Sequence, residues 1–140
     1  DMFSEVKKTF STIIKDKKIT IVHPEDKIII KLDKKLIIQS LENLLSNAIR
    51  YSVKQSNINI NYHIKNNEFI FEIRDYGIGI NEFDLPLIFQ RFFRAEGNRD
   101  YEHSGLGLSI VKHVIELHKG EIKAESVINE GLLISFSIPL

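Results

Sequence analysis

The chain contains no cysteine, which excludes a disulfide framework and thiol chemistry and is compatible with a reducing compartment. Neither sign of charge is in excess. The 19 Lys and Arg balance 19 Asp and Glu, so there is no electrostatic case for nucleic acid as a main ligand. No apolar run approaches the roughly 20 residues that span a bilayer, and no signal peptide is visible. Internal repeats, low-complexity tracts and linkers are missing too. The Gly-x-x-x-x-Gly-Lys-Ser/Thr phosphate loop is absent, and no Gly-x-Gly-x-x-Gly follows a parallel strand. His113 and His118 are five apart and face different ways on a helix, so they fail as a zinc pair. What remains is 140 residues, 43% hydrophobic and 27% charged, enough for a single domain with one core. Because it begins at Asp1, the chain is expected to be a piece of something larger.

Apolar spacing divides the chain into elements. Phe3, Val6, Phe10, Ile13 and Ile14 predict one amphipathic docking helix over residues 1–18. Ile19–Val22 reads as a short strand stopped by His23-Pro24, and Lys27–Leu32 as a second one. Asp33 is placed to cap a helix from Lys34 to about Tyr51, with Ile37, Leu41, Leu44, Leu45 and Ala48 on one face. Strict alternation predicts strands over Asn57–Ile64 and Glu68–Arg74, joined at Asn66-Asn67. Residues 81–104 are mixed: Phe89, Phe92 and Phe93 follow Pro86 at helical spacing, and 95–103 reads as a mobile polar loop. Gly105–His118 predicts a helix stopped by Gly120, and Glu121–Ser126 and Leu132–Ile138 the last two strands. This order predicts a two-layer α/β sandwich, with a mixed, mostly antiparallel sheet covered on one face by three helices.

Three stretches carry candidate chemistry. Asp75-Tyr76-Gly77-Ile78-Gly79-Ile80 delivers a carboxylate at a strand end. Asp75 can accept from adenine's exocyclic amino group, where guanine presents an acceptor; it also reads as a plain turn residue before glycine. Ser104-Gly105-Leu106-Gly107-Leu108 opens a helix whose free amides and dipole favour phosphate, or is simply a capped helix start. Asn43 and Asn47 lie one above the other in a leucine-rich helix, where asparagine is a mediocre former. Asn47 offers magnesium an oxygen, and Arg50 lies one turn on; both asparagines also read as ordinary polar-face residues.

In this order the stretches resemble a known family. Asn43–Ser52, Asp75–Ile80, Ile88–Arg94 and Ser104–Val111 are similar to the N, G1, F and G2 boxes of the catalytic and ATP-binding domain of sensor histidine kinases. That domain belongs to the GHKL superfamily shared with DNA gyrase and the large heat-shock chaperones. The resemblance covers essentially the whole chain as one catalytic domain, with 81–104 as its ATP lid. It implies ATP and Mg²⁺ as ligands, Asn47 as the metal residue, and Asp75 as the holder of the adenine amino group. It further implies a nucleotide pocket of Asn43, Arg50, Tyr51, Gly77, Gly79, Ile80 and Phe93. Arg94, Arg99, Ser104, Gly105, Leu106, Gly107 and Leu108 complete that pocket, with Asn43, Arg50 and Arg94 nearest the chemistry. The activity implied is transfer of the γ-phosphoryl group to a histidine on a separate dimerisation domain, followed by work with a response regulator. On the same resemblance this is the cytoplasmic part of a membrane-anchored kinase, a monomer when isolated and a homodimer at full length.

The family's acceptor box is a histidine followed by an acidic residue, and none of the five histidines qualifies. Where the family often has threonine, this chain has Ser104 and Leu132. The gyrase-like hydrolases carry a glutamate where Asn43 stands. Glu42 is turned about 100° away, so the base for hydrolysis is missing. The alternatives are a regulatory nucleotide-binding module, an anti-sigma-type kinase of the same fold, and a hydrolytic clamp.

Overall fold

Strand alternation and helix periodicity both resolve into one core. A computed structural model describes residues 2–25, 28, 30–91, 93 and 107–140. Its elements are α1 (Met2–Thr9), α2 (Ser11–Lys17), β1 (Thr20–Val22), α3 (Lys34–Tyr51), β2 (Asn57–Lys65) and β3 (Glu68–Asp75), then a 3-10 turn (Leu85–Leu87), α4 (Gly107–Leu117), β4 (Glu121–Val127) and β5 (Gly131–Pro139). The sheet order is β1-β2-β3-β5-β4; β1 and β2 are parallel and the other pairs antiparallel.

Register sorts the sheet's two faces. Ile60, Ile73, Ile134 and Ala124 form one cross-strand row, and Tyr62, Phe71, Phe136 and Ile122 the next. These rows pack against Phe3 and Val6 of α1, Ile37, Leu41, Leu44, Leu45 and Ala48 of α3, and Val111, Val114 and Ile115 of α4. Phe71 and Phe136 stack with centroids 5.2 Å apart. Each fully buried aliphatic or aromatic side chain contributes about 1.5–3 kcal/mol, so this layer supplies the main driving force. On the opposite face stand Asn57, Asn59, Glu72, Arg74, Lys123 and Glu125, as the alternation requires.

Local chemistry sets the borders. Asp33 accepts from the Leu36 amide at 3.1 Å and so starts α3. Its end is closed at Ser52, whose amide and hydroxyl both reach the Ala48 carbonyl. Asn66 and Asn67 have φ of 53° and 62°, the left-handed pair that matches the twist of a two-residue hairpin.

Four expectations change. The first helix breaks at Phe10 (φ −103°, ψ 12°) into α1 and α2, two short helices in place of one. The bend keeps Phe10 and Ile14 against the core and leaves Ile13 exposed. No strand forms over 27–32 among the described residues; Ile30 and Leu32 pack on the core instead of pairing. The last helix is described from Gly107, its expected start at Gly105 lying outside the described residues, and its left-handed terminal residue is Lys119 (φ 61°), not Gly120. Gly120 is needed because any Cβ there would run into the Ser137 carbonyl. Finally, Ile64 is exposed despite its inward parity, since it sits at the outer end of the β2–β3 hairpin.

Candidate functional site

Asp75 closes β3 on the helix-covered face, in register with Ile58 on one side and Leu132 on the other. It is only 2% exposed. Its Oδ1 accepts from the Gly77 amide at 3.0 Å. Burial pushes the carboxyl up to about 6, against the opposing pull of the Gly77 and Leu132 amides and the Arg74 charge. A carboxylate held this way gains from any further donor brought to it.

The loop after Asp75 is wedged between two other backbones. A Cβ on Gly77 would overlap the Tyr51 carbonyl at the end of α3, and the Ile78 amide donates to that same carbonyl at 3.3 Å. Gly79 has φ of 71°, and a Cβ there would meet the Val127 carbonyl. The Asn129 amide donates to Ile78 O at 2.9 Å, and Ser126 Oγ accepts from the Ile80 amide at 2.8 Å while donating to Gly131 O at 2.7 Å. Both glycines therefore exist for chain crossings. They place Asp75 and the buried Ile80 between the last turn of α3 and the β4–β5 turn.

Along α3, Asn43 is half-buried, Asn47 is 5% exposed, and Arg50 and Tyr51 are half-buried on the final turn. At the start of α4, a Cβ on Gly107 would lie 3.8 Å from the Asn43 side chain. The structure thus brings Asn43 to Gly107, and Tyr51 to Gly77 and Ile78. Leu108 and Phe93 are half-buried against the core, and Arg91 is exposed. Arg94, Arg99, Ser104, Gly105 and Leu106, with the expected loop at 95–103, lie outside the described residues. The donor set suits magnesium in one way only. Among the described residues no three His, Cys, Asp or Glu cluster, whereas Asn47 presents a hard oxygen of the kind magnesium takes when phosphates and water complete its shell.

Sequence reasoning missed Ser126 as a clamp on the Asp75–Ile80 loop. Its signal was present, because the inward parity of Ile122 and Ala124 predicts an inward serine two residues on.

Five strands in this order, roofed by α1, α3 and α4, with a buried strand-end carboxylate beside an asparagine-bearing helix, define a two-layer nucleotide-type sandwich. The chain belongs to the family of histidine kinase-, DNA gyrase B- and HSP90-like ATPases, whose match covers residues 32–140. It is 39% identical to the sensor protein KdpD of Clostridium acetobutylicum over 99% of this chain and 16% of that protein. To the histidine-protein kinase ArlS of Staphylococcus aureus it is 45% identical over 62% of this chain and 20% of that one. It spans a fifth or less of these relatives' length. The nucleotide-free catalytic domain of histidine kinase ThkA superposes with a TM-score of 0.84 at 28% identity, covering 99% of this chain and 90% of that one. ThkA has also been solved in complex with the response regulator TrrA; that kinase matches with a TM-score of 0.80 at 27% identity, covering 99% of this chain and 39% of that one. Among the described residues no helix is long and apolar enough to cross a membrane.

Proposed function

We propose that the chain binds Mg-ATP and donates the γ-phosphoryl group to a histidine carried on a separate dimerisation domain. The observation that carries this reading is Asp75, a buried carboxylate held at about 6 by burial, with backbone amides as its partners. The adenine amino group is the donor that would offset its desolvation and hold it ionised. The Asn43–Gly107 approach brings the helix stripe to the α4 start, where amides favour anions. Asn47 would hold magnesium, which when bound neutralises charge on the phosphates.

Transfer breaks the bond between the γ-phosphorus and the ADP oxygen and forms one to an imidazole nitrogen. It needs positioning and charge neutralisation rather than a general base. Asn43 and Arg50 are read as phosphate neighbours, Arg94 and Arg99 as further cations, and 81–104 as the lid. On this reading residues 1–140 are the catalytic domain of a longer homodimeric, membrane-anchored kinase. Its response-regulator partner is supported by ThkA being solved with one.

Incubating this chain with γ-labelled ATP and a separate cognate histidine-bearing helical hairpin should label the histidine with an acid-labile, base-stable phosphate. Nucleotide binding without any label on the hairpin would sink the transfer claim.

A further inference from the structure

We propose that Lys17, on α2, is a positioning residue for the phosphate side of the nucleotide site. The proposal rests on the Mg-ATP reading above and deepens it. Lys17 Nζ donates to the Ile49 carbonyl at 2.9 Å, across 32 residues of chain. Its own carbonyl accepts the Gln55 amide at 2.9 Å, so the end of α2 is fastened to α3 and to the loop that follows. The left-handed Lys18 (φ 56°) ends α2 there, with its amide on Ile14 O and Lys15 O.

The location matters because the last carbonyls of a helix lack intrahelical partners and its final turn tends to fray. In α3 that final turn carries Arg50 and Tyr51. Ala48 O is held by the Ser52 amide and hydroxyl, and Tyr51 O by the Ile78 amide. Ile49 O accepts from Lys17 and from the Ser52 amide, 3.3 Å away and shared with Ala48. The Ile49–Arg50 peptide plane is therefore held from outside by the Lys17 ammonium, and the Tyr51–Ser52 plane by the Ile78 amide. An ammonium at this helix end also faces the negative pole of the dipole, which strengthens the bond.

Losing Lys17 should affect the two halves of the site unequally. The adenine loop keeps its anchors on Ser126 and Asn129. The peptide that leads into Arg50 loses the cation that holds it from outside. Lys17→Met should weaken Mg-ATP binding about fivefold, as expected when one charge-assisted bond loosens a contact, and leave adenosine affinity within about twofold. Affinities can be read from amide chemical-shift titrations. Lys17→Arg, which keeps a cationic donor, should restore Mg-ATP affinity, and Lys15→Met on the exposed side of α2 should change neither ligand. An equal loss for ATP and adenosine would mean a merely structural role and overturn the proposal; so would no loss, or failure of the Arg variant to rescue. If the unmodified chain bound neither ligand, the functional reading itself would fail, and the role of Lys17 with it.

Discussion

At the scale of the residue, Asp75 sets stability against binding. Its carboxyl titrates at 3.8 when unfolded and at about 6 when folded. Between those values the folded chain holds a proton that the unfolded chain has lost, so stability falls as pH rises through that window. The difference amounts to about 3 kcal/mol by neutral pH. Asp75→Asn removes the buried charge while keeping an oxygen for the Gly77 amide. The variant should match the parent in thermal stability near pH 4 and exceed it at pH 7. The same substitution should weaken ATP binding at least about tenfold at pH 7, because an amide presents a donor toward the adenine amino group. A calorimetric titration showing unchanged affinity would remove Asp75 from the centre of the site.

At the scale of the element, the site depends on α3 and on the segments that cross its ends. Its last turn is tied to α2 through Lys17 and to the Asp75–Ile80 loop through Tyr51 O, and Asn43 on its middle touches the start of α4. The glycines there are unequal. Gly77→Ala must push the loop away from α3 backbone, which should cost more than about 3 kcal/mol in chemical denaturation and abolish nucleotide binding. Gly107→Ala meets only the Asn43 side chain at van der Waals distance and opens a helix, so stability should be unchanged or rise by about 0.5 kcal/mol. A tolerated Gly77→Ala would refute the crossing as drawn.

At the scale of the whole molecule, the sheet is covered on one face, and the candidate site lies where α3, the end of β3, the β4–β5 turn and the start of α4 meet. The chain carries no carboxylate at position 43, so binding should not lead to turnover. With saturating Mg-ATP, phosphate release by the isolated chain should stay at the buffer background, and steady release abolished by Asp75→Asn would favour a hydrolytic clamp instead.

Sequence alone determined the strand and helix identities with strong periodicity. Ile58 to Ile64, Phe69 to Ile73 and Leu132 to Ile138 alternate, Ile37 to Ala48 recur on one face, and Asp33 caps, because each of these is decided by neighbours within a few residues. It also determined the order of the four motifs, and with them the family. Only the tertiary structure decided why Gly77, Gly79 and Gly120 are glycines, since the obstructing carbonyls of Tyr51, Val127 and Ser137 come from distant segments. The fate of 27–32, the break at Phe10, the Ser126 clamp and the Lys17 bond to Ile49 are of the same kind. Each depends on what packs or hydrogen-bonds across many residues of chain, and local propensity carries no record of that.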